Sequence, residues 1–322
     1  MAAVQRLDHP GWCRNLVGAA RVEAGERVLV LVDEPLVEEG AQLLAAVKDA
    51  GGEPRLELWA GKRPLTAVPP AVKEAARDSK LLLFLAQAPR GDEASARFET
   101  SEVVTQHGGR GIFLGFVDGE LLRGELSKPG VDLSEQARRL LAELDGSREV
   151  RVRGGAGTDL TLRVEGRPWL SDALPLGPGE LANYPSGEVF VAPHADGADG
   201  VLVVDLTVPY TVDGLVDAPV TLRFERGRVT SIEGGRAAQA LRELVADAGR
   251  GADVIAELGI GLHPHVEPSG HVMLDEKASR TAHVAIGRNT GSYGGDNEAE
   301  IHVDCVFSAP QVEADGRPIP LP

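Results

Sequence analysis

Two uninterrupted apolar segments dictate what the first third of this chain can form. The segment at residues 28–32 is Val-Leu-Val-Leu-Val, and the segment at 81–85 is Leu-Leu-Leu-Phe-Leu. Continuous apolar runs of this length are typical of parallel strands that are buried on both faces. An amphipathic segment at 37–50, a strand pattern at 54–59 and a helical pattern at 70–78 separate them. This βαβαβ order predicts an α/β fold with a doubly wound parallel sheet.

The first connection between strand and helix argues against a dinucleotide site in this sheet. Residues 32–37 are Val-Asp-Glu-Pro-Leu-Val, without the glycines that allow a pyrophosphate to approach a helix N-terminus. The formal net charge of −16 would also repel a nucleic-acid backbone. We therefore expect no nucleotide cofactor and no nucleic-acid partner.

The remaining composition indicates a globular protein without a membrane partner. No stretch approaches the roughly 18 consecutive apolar residues of a membrane helix. The first ten residues lack the apolar run of a secretory signal, so we expect a cytoplasmic protein. In that compartment Cys13 and Cys305 are expected to be free thiols.

From about residue 149 the pattern changes to short alternating segments separated by glycine pairs and Asp-Gly turns. These segments lie at residues 149–153, 160–164, 201–205, 220–224 and 229–232, and a helical pattern follows at 237–248. Alternation of this kind predicts antiparallel strands with one buried face. We predict a Rossmann-like α/β domain over residues 1–148 and a mostly antiparallel, α+β, metal-binding catalytic domain over residues 149–322.

Carboxylates and imidazoles recur in apolar and glycine-rich contexts of the second half. His302 and Asp304 lie two residues apart in an alternating pattern, so a strand would place both side chains on one face. His283 lies in another strand pattern, Glu257 precedes Leu-Gly-Ile-Gly, and Glu188 follows Tyr-Pro-Ser-Gly. Such a mixture suits divalent cations that activate water. The pattern alone leaves a second interpretation open, in which these are solvated or hydrogen-bonded side chains.

Five segments of this half resemble, in order, the motifs of the aminopeptidase T and aminopeptidase S family of dinuclear metallopeptidases. They are Asn-Tyr-Pro-Ser-Gly-Glu-Val-Phe at 183–190 with Ala-Pro at 192–193, Ala-Glu-Leu-Gly-Ile-Gly at 256–261, Leu-Asp-Glu-Lys at 274–277, Thr-Ala-His-Val-Ala-Ile-Gly at 281–287 and Ile-His-Val-Asp at 301–304. The resemblance spans about residues 150 to 310. The N-terminal βαβ pattern is compatible with that family's first domain.

The resemblance implies a metalloaminopeptidase that hydrolyses the N-terminal residue of a peptide through a metal-activated water. It implies two divalent ions, zinc, cobalt or manganese, and a homodimer. The implied ligands are Glu188, Glu257, His283, His302 and Asp304, with Glu257 also catalytic. The family has a further catalytic tyrosine near its metals, for which Tyr293 is the candidate here. Tyr293 is either a donor to the oxyanion of the reaction or an aromatic residue of the loop.

His263 departs from the peptidase pattern, because the position before this proline is usually asparagine in that family. A related branch resembles 2,5-dihydroxypyridine dioxygenase, which uses one Fe(II) on two histidines and a carboxylate. The alternative is therefore a mononuclear ring-cleaving dioxygenase with a small-molecule substrate and with His263, His302 and Asp304 as ligands. The nearby His265 and His271 favour this alternative. The presence of the full peptidase ligand set favours the hydrolase.

Two other interpretations concern the same region. Asp275, Glu276 and Lys277 form a charged trio, for which a surface turn is the simplest interpretation. Lys277 could instead pair with Glu276 or anchor a substrate carboxylate. A non-catalytic binding protein is the third functional hypothesis, and it ranks last because none of the implied ligands is lost.

Overall fold

The structure is a computed structural model that describes residues 8–90, 93–128 and 130–322. The α-helices are α1 (Gly11–Ala20), α2 (Val37–Asp49), α3 (Pro70–Asp78), α4 (Glu93–Gln106), α5 (Gly119–Arg123), α6 (Ser134–Leu144), α7 (Arg236–Ala248) and α8 (Val272–Asp275). The strands are β1 (Arg27–Asp33), β2 (Glu53–Trp59), β3 (Leu81–Leu85), β4 (Arg110–Leu114), β5 (Glu149–Arg153), β6 (Asp159–Arg163), β7 (Leu170–Asp172), β8 (Leu181–Asn183), β9 (Glu188–Val191), β10 (Ala198–Val204), β11 (Val220–Glu225), β12 (Arg228–Glu233), β13 (Ile255–Gly261), β14 (Thr281–Gly287), β15 (His302–Ser308), β16 (Gln311–Ala314) and β17 (Arg317–Ile319). Most of the N-terminal segment used to predict the absence of a secretory signal, residues 1–7, lies outside the described residues.

The chain divides into two compact units, each built from two stretches of sequence. Unit 1 consists of Met1–Asp132 and Ala173–Ser186, and unit 2 consists of Leu133–Asp172 and Gly187–Pro322. Each unit has its own sheet structure, described separately below.

Unit 1 contains the predicted doubly wound parallel sheet. Its strand order is β2-β1-β3-β4-β8, and every neighbouring pair is parallel. The apolar runs become β1 and β3, whose interior residues are fully buried because helices pack on the sheet. The ring centroids of Trp59 and Phe84 lie 5.7 Å apart in the core, and Phe113 meets Phe84 edge to face. The α/β prediction for this part of the chain is confirmed.

A buried ion cluster lies at the carboxyl end of β1. Asp33 accepts hydrogen bonds from the Gln87 amide at 2.9 Å and from Arg97 at 3.0 Å. Glu93 binds Arg97 at 3.2 Å and also binds Arg63. Side-chain ion pairs thus occupy the carboxyl end of β1.

Unit 2 contains two antiparallel sheets. The described strands form one sheet in the order β12-β11-β10-β6-β5-β16-β17 and another in the order β15-β14-β13-β9-β7. We call the second one the site sheet. The alternating segments predicted from residue 149 onward become β5, β6, β10, β11 and β12, and the helical pattern becomes α7. The mostly antiparallel C-terminal architecture is confirmed.

Two further expectations concern the cysteines and the membrane. Cys13 and Cys305 are both buried, free thiols. Among the described residues, the helices are too short or too polar for any of them to cross a bilayer.

Candidate metal centre

One face of the site sheet gathers the acidic and imidazole side chains. Cross-strand partners in antiparallel pairs present their side chains on the same face of a sheet. The pairs concerned are Asp172 with Glu188, Glu188 with Gly261, Glu257 with Ala285, Gly259 with His283, Ala285 with Asp304, and Gly287 with His302. Residues from five strands, which come from different parts of the chain, therefore lie on one face of the site sheet.

Glycines on β13 make room on this face. A Cβ atom on Gly259 would lie 2.1 Å from Cε1 of His283, so only glycine leaves space for this imidazole. A Cβ atom on Gly261 would lie 2.1 Å from the carbonyl oxygen of Ala278, so glycine also allows the chain after α8 to cross the sheet. The small residues that follow Glu257 thus admit one ring and one backbone segment.

Two groups of ligand atoms are close enough to hold metal ions. We call Glu188, Glu257 and His283 the first group, and Glu257, His302 and Asp304 the second group; the ligand atoms of each lie within 4.8 Å of one another. Nε2 of His283 is 3.2 Å from Glu257 Oε1, and Nε2 of His302 is 3.1 Å from Asp304 Oδ1. Glu257 belongs to both groups, and its two oxygens face different histidines.

Buried polar atoms in the first group fit a metal ion. Oε2 of Glu188, Oε2 of Glu257 and Nδ1 of His283 have no hydrogen-bond partner among the described residues. A buried carboxylate oxygen without a partner costs free energy unless a cation or donor satisfies it. The two carboxylates point these oxygens toward the imidazoles, Oε2 of Glu188 lying 3.8 Å from Nε2 of His283. The donor set therefore suits a divalent cation of the kind that oxygen and imidazole ligands bind.

The protonation of these groups reflects an excess of buried negative charge. Burial would lower the pKa of His283, but Glu257, Glu188 and Asp304 raise it to about 9. Burial likewise opposes the charged form of His302, but Asp304 and Glu257 raise its pKa to about 10. Burial raises the pKa of Glu188 to about 8, against the opposing charge of Lys277. Protons held by His283, His302 and Glu188 thus offset part of the negative charge of the carboxylates.

Hydrogen bonding and stacking fix the orientation of His302. Its Nδ1 donates to the carbonyl oxygen of Arg288 at 2.6 Å, which leaves Nε2 as the nitrogen that faces the second group. The ring of Tyr293 stacks on the His302 ring with centroids 4.7 Å apart, and Phe190 meets Tyr293 edge to face. Burial and the nearby carboxylates, Glu257 foremost, raise the pKa of Tyr293 well above its ordinary value. Its phenol is therefore a hydrogen-bond donor at neutral pH.

The surface turn predicted for the charged trio is wrong. Asp275, Glu276 and Lys277 are all buried, and the Lys277 side chain is 0% exposed. The Asp275 side chain accepts hydrogen bonds from the amides of Ser269 and Gly270, which anchors the turn around α8. The His263 amide, just after β13, donates to the carbonyl oxygen of Lys277 at 2.7 Å, which holds the end of the trio beside the site sheet.

Lys277 lies among three carboxylates. Its Nζ atom is 2.5 Å from Glu188, 2.9 Å from Asp172 and 2.9 Å from Glu276. The sequence offers the pairing with Glu276 as one alternative, whereas it does not single out Asp172. Asp172 joins the cluster through the pairing of β7 with β9, which places it opposite Glu188, and no local sequence pattern indicates this pairing.

His263 lies outside both ligand groups among the described residues. Its backbone amide donates to the carbonyl oxygen of Lys277 at 2.7 Å, and its carbonyl accepts from the Ser279 amide at 2.9 Å. The His263 and His265 rings meet edge to face with centroids 6.2 Å apart. In this structure, the observed backbone contacts of His263 hold the segment that carries Lys277.

Comparison with known proteins relates the chain to both branches expected from its motifs. A family model described as 2,5-dihydroxypyridine 5,6-dioxygenase (NicX) matches residues 103–320. Aminopeptidase T from Thermus aquaticus is 31% identical over 182 residues, which cover 50% of this chain and 43% of that protein. The chain thus matches less than half the length of that curated relative.

Two solved structures share the fold over nearly the whole chain. The structure of 2,5-dihydroxypyridine dioxygenase from Pseudomonas putida KT2440 superposes with a TM-score of 0.75 at 22% identity, covering 96% of this chain and 94% of that one. Wild-type AmpT from Thermus thermophilus superposes with a TM-score of 0.66 at 20% identity, covering 96% of each chain. At these identities the superpositions establish the fold alone.

Proposed function

Since the chain belongs to the family described as 2,5-dihydroxypyridine 5,6-dioxygenase and is also related to aminopeptidase T, we propose that it is a metal-dependent enzyme. Within that class we propose a metalloaminopeptidase, which uses a metal-activated water to hydrolyse the N-terminal residue of a peptide. The proposed ligands are the members of the first and second groups.

The proposal depends most on the shared position of Glu257. One carboxylate that belongs to two ligand groups, with one oxygen toward each histidine, is the arrangement expected of a ligand that bridges two ions. A single-ion site needs neither the first group nor a bridging carboxylate. The geometry therefore favours two ions, and with them the hydrolase.

The charge of the cluster supports the same choice. Its carboxylates are Asp172, Glu188, Glu257, Glu276 and Asp304. Counted as ionised, these five groups contribute −5 and the Lys277 ammonium offsets one charge, which leaves −4. Two divalent cations would offset this remainder in full, whereas beside one Fe(II) ion protons on groups such as His283 and Glu188 would have to offset the other half.

In the proposed reaction, the residues of the chain orient the metal ligands and keep the site buried from bulk water. Two bound divalent ions would supply Lewis acidity and an activated water. The hydrogen bond to the Arg288 carbonyl keeps His302 in the orientation that a ligand needs. Glu188 and Glu257 are buried, so the site they belong to has a low dielectric constant, in which bound cations and a phenol donor would attract a developing oxyanion more strongly than in water.

Tyr293 is proposed as the donor to that oxyanion. Its ring lies against His302, beside the second group, and its hydroxyl stays protonated at neutral pH. A protonated phenol can stabilise negative charge that develops on the carbonyl oxygen of the scissile bond. The alternative interpretation, a loop aromatic without a chemical role, predicts no loss of turnover on removal of the hydroxyl.

The second candidate function is a mononuclear Fe(II) dioxygenase that acts on an aromatic diol. The family match over residues 103–320 favours it. In that case His302 and Asp304 would be ligands together with His263, which would have to turn toward them.

Metal content distinguishes the candidates before a substrate is known. Protein purified without chelator under anaerobic conditions is analysed for metals against protein concentration, then assayed with a panel of dipeptides and aminoacyl anilides. About two zinc, cobalt or manganese ions per chain and release of the N-terminal residue are expected. About one iron per chain, with oxygen uptake on addition of 2,5-dihydroxypyridine, would establish the dioxygenase instead. Full metal content without turnover on either substrate class would indicate a binding protein.

A further inference from the structure

Lys277 is a buried cation placed between the first ligand group and two carboxylates outside it. The Lys277 side chain is fully buried, and three carboxylates from different parts of the chain surround its Nζ atom. An ammonium group has three donors, so three acceptors can satisfy it completely. Of the three, only Glu188 belongs to a metal-binding group.

The backbone around Lys277 is held at several points. The Lys277 amide donates to Leu274, and its carbonyl accepts from the His263 amide. Thr281 Oγ1 donates to the carbonyl oxygens of both Asp275 and Ala278 at 2.8 Å. Gly261 allows this segment to lie directly on the sheet. The ammonium is therefore held by a rigid turn rather than by a flexible surface chain.

The contact with Lys277 makes the two carboxylate oxygens of Glu188 different from each other. Lys277 donates to Oε1, whereas Oε2 has no hydrogen-bond partner among the described residues and faces His283. A carboxylate held by one oxygen presents the other in a fixed direction. Such hydrogen bonds to the far side of a ligand orient it for the metal.

We propose that Lys277 is a positioning residue that holds Glu188 by Oε1 so that Oε2 is presented to the metal ion of the first group. This inference rests on the proposed metal-dependent function, and it concerns metal binding rather than a step of the reaction. Among the described residues, the ion pairs of Lys277 are with Asp172, Glu188 and Glu276, none of which belongs to the second group, so the two ions should respond differently to its replacement.

A role as a counter-ion and a role as a positioning residue predict opposite changes in metal affinity when the Lys277 ammonium is removed. Without Lys277 the cluster is more negative, so electrostatic attraction by itself would bind a divalent cation more tightly. Loss of an orienting contact instead weakens metal binding about 10–100-fold. The sign of the change in affinity therefore distinguishes a positioning residue from a mere counter-ion.

The test compares Zn²⁺ binding by wild type, Lys277→Met, Glu188→Gln and the double variant. Affinities are measured in Zn²⁺ buffers, with bound metal determined by elemental analysis and folding of the metal-free proteins by circular dichroism. Lys277→Met is expected to weaken one of the two ions about 10–100-fold and to leave the other unchanged. The double variant is expected to bind no more weakly than Glu188→Gln alone, because Lys277 acts through Glu188.

A surface lysine provides the matched control. Lys73 pairs with Glu99 at 2.5 Å on the surface of unit 1, so Lys73→Met removes a lysine-carboxylate pair of the ordinary kind. Lys73→Met should bind both ions as wild type does. Lys277→Gln is measured in parallel, and it is expected to lose affinity for the same ion as Lys277→Met.

The following results of this test would overturn the inference about Lys277. Unchanged or tighter binding by both Lys277 variants would overturn the inference, as would equal weakening of the two ions or full additivity with Glu188→Gln. Failure of both variants to fold without metal would make Lys277 a folding residue and also overturn it. If the wild-type protein binds no divalent metal, the proposed function itself fails. If the wild type binds two ions and the Lys277 variants do not behave as expected, only the inference about Lys277 fails.

Discussion

At the scale of single residues, the candidate centre is defined by buried acids that outnumber buried cations. Lys277 satisfies three carboxylates, but Glu188 and Glu257 each retain a buried oxygen without a hydrogen-bond partner among the described residues. The imidazoles of His283 and His302 hold protons tightly for this reason, with pKa values raised to about 9 and about 10. Metal ions would have to compete with these protons.

Metal affinity should therefore rise with pH. Groups whose pKa is raised are protonated below that pKa, so at neutral pH Glu188, at about 8, and both histidines release protons when a metal ion binds. We expect zinc affinity to increase steadily from pH 6 to about pH 9. Calorimetry in buffers of different ionisation enthalpy measures the released protons, and Glu188→Gln should release about one proton fewer at pH 7. An affinity that does not change with pH would contradict this assignment of the protons.

Removal of the Tyr293 hydroxyl should impair turnover without loss of metal. The phenol is a protonated donor beside the second group, so Tyr293→Phe is expected to lower kcat about 100-fold while both ions stay bound. Tyr210→Phe is the matched control, because Tyr210 is 48% exposed and outside the site. If Tyr293→Phe retains full kcat, Tyr293 is only a loop aromatic that packs on His302.

At the scale of the element, the site depends on the register of three neighbouring strands. The pairing of Gly259 with His283 and of Ala285 with Asp304 places large and small residues side by side on one face. A shift of one residue would turn every ligand on that strand to the opposite face. In this register Gly259 leaves the space that the imidazole of His283 fills.

A methyl group on Gly259 should displace His283. The added Cβ would lie 2.1 Å from the His283 ring, which must move away from Glu257 and the first group. We expect Gly259→Ala to weaken metal binding at least about tenfold and to destabilise the fold by about 1–3 kcal/mol. Gly18→Ala, in α1, makes the same chemical change where a Cβ atom meets nothing within 4 Å, and it should leave metal content unchanged. Normal metal content in Gly259→Ala would contradict this prediction, because it would show that the His283 ring can avoid the added methyl group and still reach the first group.

At the scale of the whole molecule, each unit contains a buried charge cluster of a different kind. In unit 1, Asp33 and Glu93 are balanced by Arg63 and Arg97. In unit 2, the carboxylates exceed the cations, and the proposed metal ions would offset the excess. The first cluster should therefore contribute to stability independently of metal, and the second only when metal is bound.

The Glu93 cluster should stabilise the protein with or without metal. Burial opposes ionisation of Glu93, but hydrogen bonds from Arg63 and from the Arg90 and Leu65 amides lower its pKa to about 2. A carboxyl with a lowered pKa contributes stability above its unfolded pKa, near 4.5, and loses it as pH falls toward 2. Glu93→Gln is expected to cost about 3 kcal/mol at pH 7, because it leaves the two arginines, Arg63 and Arg97, with Asp33 as the one remaining carboxylate of the cluster.

Denaturant unfolding with and without zinc checks this expectation. Glu99→Gln, on the same helix but paired at the surface with Lys73, should cost less than about 1 kcal/mol. The effects of Glu93→Gln and of zinc should add, since the two clusters belong to different units. Strong non-additivity would mean that the two units are energetically coupled.

Most elements of the fold follow from local patterns. The alternation at residues 149–153 and the run at 281–287 became β5 and β14 without a change of bounds, because side-chain periodicity depends only on neighbours along the chain. The His-x-Asp spacing on β15 likewise placed His302 and Asp304 on one face, as two-residue periodicity requires. The motif resemblance also indicated which acids and imidazoles to consider together.

The sequence by itself determined the fold class and the regularly patterned strands and helices, and it indicated the acids and imidazoles of the candidate site, since these depend on periodicity and on side-chain chemistry. Tertiary structure alone decided that Lys277 is buried beside Asp172 and Glu188, which lie 105 and 89 positions before it in the chain. It also decided that His263 lies outside the two ligand groups and contacts the Lys277 segment through its backbone. These outcomes depend on strand register and on contacts between distant segments, which no local pattern encodes.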